Sequence, residues 1–248
     1  MRLCAVQFAP KFKAVEENLE TAVRLVTQAA AAGAKLIVLP ELCTSGYSFM
    51  SGADAEPFAE VVSDHLRAGS PRSMRTFGDL ARKLDVAIVW GVPEKEFSTG
   101  DLYNSQVLIL PSQKFWVNRK LNAFGNDYLW AKEGQTNPPI AEWMGKKIGM
   151  LICADIRGKS DKIEDFYEPG DADIIAFSAN WGDGGFPAGK WVRSAKENAC
   201  ILVVSNRYGQ ETCNNFGEGG ICIIEPSGKV HCEGLLWNEP CVVYFDAP

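Results

Sequence analysis

The stretch Leu36-Ile37-Val38-Leu39-Pro40-Glu41 is the part of the sequence that decides the fold class. Its four consecutive apolar residues predict a strand that is buried on both faces. Pro40 ends this strand because proline cannot donate a ladder hydrogen bond. Glu41 therefore lies just beyond the carboxyl end of a strand, which is where ligand sites of α/β folds are commonly found. The stretch predicts an α/β protein.

Strands and helices alternate on both sides of this stretch. The β-favouring run Leu3–Phe8 predicts a strand, and the apolar residues spaced from Val15 to Ala30 predict an amphipathic helix. The pair Ser105–Leu110 and Lys114–Asn118 predicts a hairpin. Further predicted elements are a helix over Ser73–Leu84, a helix that begins near Pro187, and strands at Val86–Trp90, Ile148–Cys153, Asp173–Ser178, Ile201–Ser205, Ile221–Glu225 and Cys241–Phe245.

This succession continues along the chain without a repeat, a low-complexity tract or an interdomain linker. Its length of 248 residues suits one large α/β domain, so we predict a single domain over residues 1–248. The solidly apolar strands imply a layered architecture, in which helices and a second sheet are the candidate covers for the faces of the first.

Composition and charge exclude several classes of function. Hydrophobic residues make up 46% and charged residues 23% of the sequence, which are ordinary values for a globular protein. The net charge of −6 and the lack of a basic run argue against a nucleic-acid partner. No apolar stretch approaches the roughly 20 residues that a bilayer-spanning helix needs. We therefore expect no membrane segment.

The eight cysteines are scattered singly along the chain. A structural zinc site would need paired ligands such as C-x-x-C, so no metal site is expected. A chain of this size builds a full core without disulfide staples, which favours a reducing cytoplasm over secretion.

Three polar residues follow predicted apolar strands and are candidates for chemistry: Glu41, Lys120 and Cys153. A cysteine nucleophile needs a nearby base or cation that favours the thiolate, and these neighbours supply one of each. The histidines His65 and His231 offer little support for a Cys-His pair. Taken one at a time, each candidate also has an ordinary explanation as a buried small residue, a capping carboxylate or a surface amine.

The segments around these residues resemble the three catalytic motifs of the nitrilase (carbon-nitrogen hydrolase) superfamily, in the same order and with similar separations. They are Leu39-Pro40-Glu41-Leu42, Asn118-Arg119-Lys120-Leu121 and Ile148–Arg157. Further similarity covers essentially the whole chain, at Ala5–Gln7, Ser178–Trp181, Glu197–Asn198, Asn206–Arg207 and Glu225–Gly228.

The resemblance implies a four-layer αββα sandwich with a Glu-Lys-Cys triad and neither a metal nor an organic cofactor. It implies that Cys153 attacks a small-molecule linear amide or an N-carbamoyl amine and forms a thioester. Glu41 then transfers protons, and Lys120 stabilises the oxyanion together with the backbone N–H of Ala154. The resemblance also implies a homodimer or a larger homo-oligomer.

Two features near the motifs are less decided. The superfamily usually has a glutamate seven residues before the glycine at Gly134, where this chain has Asp127. Asp127 is thus either a shortened second acid of the site or a turn residue. Tyr47 and Trp181 are candidates for the wall of the substrate pocket, although most aromatic residues of an α/β core only pack.

Two competing functions remain at this stage. A nitrile hydrolase would use the same nucleophile, but relatives that act on nitriles usually have tryptophan and glutamate directly after the cysteine, where this chain has Ala154 and Asp155. A non-catalytic binding protein with the nitrilase fold is the other alternative, and the loss of a triad residue, which would indicate it, is not seen.

Overall fold

The computed structural model describes residues 1–64, 72–157, 167, 170–182 and 185–248; His65 lies outside these ranges. The described helices are α1 (Val15–Ala31), α2 (Gly52–Ala55), α3 (Arg72–Leu84), α4 (Asp127–Trp130) and α5 (Gly189–Glu197). The described strands are β1 (Arg2–Gln7), β2 (Leu36–Val38), β3 (Ala87–Lys95), β4 (Leu102–Ile109), β5 (Phe115–Arg119), β6 (Ile140–Trp143), β7 (Lys146–Ile152), β8 (Ile174–Ser178), β9 (Ile201–Ser205), β10 (Gln210–Glu211), β11 (Asn214–Asn215), β12 (Cys222–Ile224), β13 (Val230–His231) and β14 (Cys241–Asp246).

Two six-stranded sheets make up most of the fold. Their strand orders are β14-β1-β2-β3-β4-β5 and β13-β12-β9-β8-β7-β6. Each sheet has a parallel centre, β1-β2-β3 in the first and β7-β8-β9 in the second, with antiparallel strands at its edges. The strands β10 and β11 form a separate small hairpin. Parallel centres of this kind need cover on both faces.

The cover comes from helices on the outside and from the other sheet on the inside. In β1, Leu3 and Ala5 pack between the two sheets, whereas Cys4 and Val6 pack in the cluster that α1 and α3 form with the first sheet. On the far side, Trp191 of α5 packs on the second sheet. The layers therefore run helix, sheet, sheet, helix, as the predicted αββα sandwich requires.

The predicted elements are found, with bounds that differ by a few residues. The hairpin is confirmed as β4 and β5, which pair antiparallel. The predicted strand that ends at Cys153 stops one residue earlier, because Cys153 has a positive φ of 46°. The sequence analysis missed the edge strand β6, a four-residue segment in which Ile140 is exposed. None of the described helices is long and apolar enough to cross a bilayer.

Polar contacts join the two sheets near the carboxyl ends of β2 and β8. Gln106 Nε2 donates to Ser178 Oγ at 2.8 Å, and this hydroxyl donates to the carbonyl of Leu39 at 2.7 Å. Asn118 Nδ2 donates to the carbonyl of Met150 at 3.3 Å. Buried hydrogen bonds of this kind fix the relative position of the two sheets. The segments that follow β2, β5 and β7 are thereby held near one another.

Candidate active site

Glu41 lies in the tight turn that follows β2 and is only 1% exposed. Its segment packs directly on the backbone of β3: a Cβ added at Gly91 would lie 2.2 Å from the amide nitrogen of Leu42 and 2.8 Å from the carbonyl carbon of Glu41. Any larger residue at position 91 would displace the turn. The absence of a side chain at Gly91 therefore allows the Glu41 turn to pack directly against β3.

Lys120 follows β5 and is 2% exposed. Its Nζ donates to Glu41 Oε1 at 2.7 Å and to Asp127 Oδ2 at 2.6 Å. Its carbonyl accepts from the N–H of Gly134 at 2.8 Å. Removing a lysine from water is costly unless its charge is paired, and here two carboxylates pair with it.

Asn104 of β4 joins the same cluster. Its Nδ2 donates to Glu41 Oε1 at 2.7 Å and to Asp127 Oδ1 at 3.0 Å. The sequence analysis missed this residue because it lies inside a strand. The polar residues of the run Tyr103-Asn104-Ser105-Gln106 could have indicated it. Polar side chains in a strand that is covered on both faces need buried hydrogen-bond partners.

One oxygen of the Glu41 carboxylate is left without a partner. Oε1 accepts from both Lys120 and Asn104, whereas Oε2 is buried and has no hydrogen bond within the described residues. A buried carboxylate oxygen without a donor is costly and is a sign of function. It is free to accept a proton from a substrate, a water or a thiol.

Cys153 begins the tight helical turn Cys153–Arg157 at the end of β7 and is 6% exposed. It lines a cleft with about 260 Å³ of empty space, which we call the thiol cleft. Trp181 and Gly182 share its wall with Phe124, Ala154, Arg157 and Asn180.

Asp155 ties the turn of Cys153 to the segment of Lys120. Its Oδ1 accepts from the N–H groups of Leu121 at 2.9 Å and Asn122 at 2.8 Å, and its Oδ2 accepts from Ile152 at 3.3 Å. The sequence analysis quoted Asp155 as part of a motif but assigned it no role. Because it is completely buried, it holds the ends of β5 and β7 in a fixed geometry.

The buried charges shift the proton affinities of the site. Burial raises the pKa of the Cys153 thiol; the Glu41 carboxylate raises it further, while Lys120 and a backbone hydrogen bond from Asn180 lower it in part. The thiol of the free enzyme therefore keeps its proton at neutral pH, although the sequence analysis expected its neighbours to favour the thiolate. Burial also raises the pKa of Glu41, which Lys120 offsets only in part.

The Lys120 ammonium stays charged. Burial acts to lower its pKa, but the carboxylates of Asp127 and Glu41 together raise it well above the usual value. The cluster thus contains a permanent cation beside a carboxylate and a thiol that both hold protons more tightly than usual. The free energy of proton transfer between the last two depends on the difference between their pKa values, which changes less when both are raised than when only the pKa of the thiol is raised.

The remaining predicted residues are placed as follows. Asp127 is 1% exposed and belongs to the buried cluster, and its Oδ2 also accepts from the N–H of Phe124 at 3.1 Å, so it is both a turn residue and an acid beside Lys120. Ala154 and Trp181 line the thiol cleft, and the predicted role of the Ala154 N–H as an oxyanion donor stays a prediction. Tyr47 does not line it; its hydroxyl donates to the carbonyl of Phe124 and positions that wall from behind.

Arg157 adds a cation to the wall of the thiol cleft. Its guanidinium lies 5.0 Å from the ring centroid of Phe124 and 5.3 Å from that of Trp181. Stacking between two rings restricts this long side chain and holds its charge at the cleft. No group of three potential metal ligands is found among the described residues.

Nearly the whole chain matches one known protein family. The sequence model of the carbon-nitrogen hydrolase family matches residues 2–247. The chain belongs to this family. The predicted recognition of the superfamily is thereby confirmed, and the protein is an enzyme that hydrolyses carbon–nitrogen bonds. At the level of the family, this means hydrolysis of an amide or a nitrile.

Relatives by sequence support the assignment, and a solved structure shares the fold. A probable nitrilase of Schizosaccharomyces pombe is 32% identical over 235 residues, which are 92% of this chain and 82% of that protein. A protein N-terminal amidase of the same organism is 30% identical and is covered over 95% of both chains. The fold matches an amidase from Nesterenkonia sp. AN1, in a variant carrying acrylamide on its active-site cysteine, with a TM-score of 0.81 at 20% identity over 100% of this chain and 93% of that one.

Proposed function

We propose that the protein hydrolyses a small-molecule linear amide through a thioester on Cys153, with Glu41 and Lys120 completing a catalytic triad. The proposal rests on the difference in hydrogen bonding between the two oxygens of the Glu41 carboxylate. Oε1 is fixed by two donors, while Oε2 is buried without a partner within the described residues, and the charge of this carboxylate acts on Cys153 by raising the pKa of its thiol. This is the arrangement of a general base and its nucleophile.

In the first half of the reaction, Cys153 attacks the amide carbonyl carbon. As the carbon–sulfur bond forms, the thiol proton moves to Glu41 Oε2. The tetrahedral intermediate then collapses, the carbon–nitrogen bond breaks, and Glu41 returns the proton to the departing nitrogen, which leaves as ammonia or an amine. Burial raises the pKa of Glu41, which makes it a stronger base toward the thiol than an exposed carboxylate would be, and the protonated Glu41 then serves as the acid for the departing nitrogen.

Lys120 supports the negative charge that develops on the carbonyl oxygen. An ammonium has three N–H donors, and two of those on Lys120 are used by Glu41 and Asp127 within the described residues. The third is available to the oxyanion, and the backbone N–H of Ala154 follows directly after the nucleophile as a second donor. A preorganised cation in a buried site costs little reorganisation when the charge appears.

In the second half, a water molecule hydrolyses the thioester. Glu41 accepts a proton from the water, whose oxygen attacks the acyl carbon; the carbon–sulfur bond breaks, and the proton returns to the sulfur of Cys153. The products are a carboxylic acid and the regenerated thiol. Asp127 and Asn104 keep Lys120 and Glu41 in place throughout, and on this proposal Asp127 replaces the usual glutamate of the family.

The test is ammonia or amine release from three substrate classes: short-chain amides, ω-amides of dicarboxylic acids and N-carbamoyl amines. We expect turnover in at least one class by the wild-type protein and none by Cys153→Ala. Arg157 at the cleft makes acyl groups with a distal carboxylate worth including. Equal rates for the two proteins in every class would contradict the proposal.

Nitrile hydrolysis is the second candidate, because the chain is also similar to a nitrilase of Pyrococcus abyssi, at 28% identity over 239 residues. Matched pairs such as propanamide and propanenitrile separate the two activities. We expect the amide to be the better substrate, since Ala154 and Asp155 depart from the pattern of nitrile hydrolases. A nitrile hydrolysed faster than its amide would reverse this assignment.

We also propose that the enzyme is a homodimer or a larger homo-oligomer. The many apolar runs of the sequence give this prediction no separate support, since two sheets that bury each other within one chain account for them. The prediction now rests on the resemblance to the family. Light scattering at micromolar concentration is expected to give at least twice the chain mass of 27.2 kDa. A monomeric mass would refute it.

A cytoplasmic location is proposed on the state of the cysteines. All eight are free thiols in the structure, and six of them are buried. Free thiols persist in a reducing compartment and are readily oxidised outside it. Cell fractionation of the native source would test this expectation.

A further inference from the structure

A second cavity borders the thiol cleft and shares Trp181 and Gly182 with it. It holds about 620 Å³ of empty space and opens toward solvent. Its wall is mainly aromatic, and we call it the aromatic groove. The side chains that define it are Trp181, Phe186, Trp191, Phe216, Glu218 and Trp237.

The rings of the aromatic groove are fixed against one another. The ring centroids of Trp181 and Trp191 lie 5.7 Å apart, and those of Phe186 and Trp237 lie 5.2 Å apart, in edge-to-face arrangements. Phe186 also packs on the backbone of Gly220, where an added Cβ would lie 2.4 Å from its ring. The groove is therefore a preformed aromatic surface.

The backbone of Trp181 is held as firmly as its ring. Asn206, which is 1% exposed, accepts from the Trp181 N–H at 2.8 Å and donates to the Trp181 carbonyl at 3.1 Å. The residue that joins the thiol cleft to the aromatic groove thus has both of its backbone groups fixed. A ligand could contact both cavities without rearranging this junction.

The charges on the two walls are of opposite sign. The thiol cleft carries Arg157, whereas Glu218 is the one charged side chain among the described residues that line the aromatic groove. A carboxylate in the groove would be repelled by Glu218 and would gain nothing from the aromatic faces. Its chemistry therefore fits an uncharged aromatic or branched apolar group.

The size of the thiol cleft indicates which part of a substrate needs this groove. The cleft holds less than half the empty space of the aromatic groove, about 260 Å³ against about 620 Å³, so the bulk of a large substrate has more room in the groove than beside the thiol. The acyl group stays on the sulfur through both half-reactions, while the amine leaves after the first. A preformed apolar surface that adjoins the thiol cleft at Trp181 and Gly182 is thus of most use to the acyl group.

We infer that the aromatic groove is the acyl subsite of this enzyme and that it selects amides with an uncharged aryl or bulky apolar acyl group. The inference rests on the proposed function, because it takes Cys153 as the nucleophile. Aromatic contacts of this kind convert binding energy into selectivity between substrates that share the same reacting amide.

The test compares kcat/KM for propanamide, 3-phenylpropanamide and its para-carboxylate derivative. Wild type is expected to prefer the phenyl amide over propanamide by at least about tenfold, as burial of a ring supplies. The para-carboxylate derivative should lose most of this advantage over propanamide, because Glu218 repels its charge. The variant Glu218→Gln should restore part of the advantage for this derivative. N-(2-phenylethyl)propanamide, which carries the ring on the amine side, should show no comparable gain.

The matched variants are Trp237→Ala and Leu236→Ala. Both side chains are about half exposed, at 46% and 49%, so neither change should unfold the protein, and only Trp237 lines the groove. Trp237→Ala is expected to bring the ratio of phenylpropanamide to propanamide close to one, whereas Leu236→Ala should leave it unchanged.

Failure of the subsite and failure of the proposed function give different results. If wild type hydrolyses propanamide but shows no gain for the phenyl amide, or gains only when the ring is on the amine, the acyl subsite is refuted while the amidase proposal stands. An unchanged ratio in Trp237→Ala also refutes the subsite. If wild type hydrolyses none of these amides but releases ammonia or amine from an ω-amide or an N-carbamoyl amine, the acyl subsite is refuted and the proposed function stands; if it is inactive on all three substrate classes, the proposed function itself fails.

Discussion

At the scale of single residues, the ammonium of Lys120 lies between two carboxylates that are almost completely removed from water. Each of the three charges is tolerable only because of the others. The same arrangement leaves Glu41 Oε2 unpaired within the described residues, while burial, with a smaller contribution from Glu41, raises the pKa of the Cys153 thiol against the effect of Lys120. The residues proposed for catalysis are therefore also a strongly coupled structural unit, and substitutions in it affect stability as well as rate.

Cys153→Ala removes the proposed nucleophile from a site that is already packed, so it should fold and lose activity. We expect kcat to fall by more than about a thousandfold. Cys153→Ser should be almost as inactive, because a hydroxyl is much harder to ionise with only a carboxylate as base. Ammonia release and circular dichroism are the measurements. Cys213→Ala, at an exposed free thiol, is the control and should retain full activity.

Lys120→Met should lower kcat more than it raises KM, since the cation acts mainly on the oxyanion of the transition state. The loss is expected to be on the order of 10²–10³ in kcat. The sequence alone suggests that this variant folds normally. The structure indicates instead a stability loss of about 3–5 kcal/mol, because Glu41 and Asp127 would be left buried without their cation.

Adding Asp127→Asn to Lys120→Met separates these two effects. The second change removes one of the two uncompensated carboxylates, so urea unfolding should show a large part of the stability restored. The kcat of the double variant should stay low, since the oxyanion still lacks its cation. If kcat recovers with stability, or if only KM is changed in Lys120→Met, the electrostatic role of Lys120 is wrong.

At the scale of secondary-structure elements, the site depends on how closely three strand ends approach. The turn after β2 packs on the backbone of β3 at Gly91, and Asp155 bonds the end of β5 to the end of β7. Neither contact involves a reacting atom. Both fix distances between the residues proposed for catalysis, so changes in them should be felt in catalysis as well as in stability.

Gly91→Ala should displace the Glu41 turn, because its methyl group would lie far inside contact distance of two backbone atoms. We expect a loss of at least about 2 kcal/mol in the free energy of unfolding and a clear drop in kcat. Gly189→Ala, at the start of α5 where nothing lies within 4 Å, is the matched control. It should change stability by less than about 0.5 kcal/mol. Similar effects at both positions would argue against close packing at Gly91.

The raised pKa of the buried Asp155 carboxyl group should make the stability of the protein depend on pH. Burial raises its pKa to about 7, although Lys120 and three backbone N–H groups act to lower it. The folded state then binds a proton that the unfolded state has lost between about pH 4 and pH 7, so stability falls as pH rises through this range. Asp155→Asn cannot ionise and should lack this contribution.

The measurement is urea unfolding of wild type and Asp155→Asn at several pH values. The stability of wild type relative to the variant should decline between about pH 4 and pH 7, by up to ~1.4 kcal/mol per pH unit, and level off above. A relative stability that is constant or rises over this range would show that the backbone donors outweigh burial and that the pKa is not raised.

At the scale of the whole molecule, the αββα layers were predictable from apolar strands together with the family motifs. The parallel centre of each sheet gives strands that are hydrophobic on both faces, and these are the clearest signals in the sequence. Glu41 and Cys153 could be found from the sequence because they closely follow two of these apolar strands, β2 and β7. The edge strand β6 escaped prediction because a partly exposed strand has no such signature.

The residues that the sequence did not reveal are those whose roles arise from contacts between distant segments. Asn104 meets Glu41 and Asp127 only through the pairing of β3 with β4, and Trp237 approaches Phe186 from 51 positions further along the chain. Sequence spacing carries no trace of such contacts. The aromatic groove is thus a property of the fold rather than of any motif.

Cys153 is proposed to carry the acyl group during turnover, and mass spectrometry of an acid-quenched reaction can detect this thioester. Trypsin cleaves after Lys147 and Arg157, so Cys153 is the one cysteine of the peptide Ile148–Arg157. An acyl donor with a p-nitrophenolate leaving group should make acylation faster than hydrolysis, so that the thioester accumulates and survives in acid. We predict the mass of one acyl group on this peptide, and none in Cys153→Ala. An unmodified peptide in a protein that still releases ammonia from the matching amide would contradict the account.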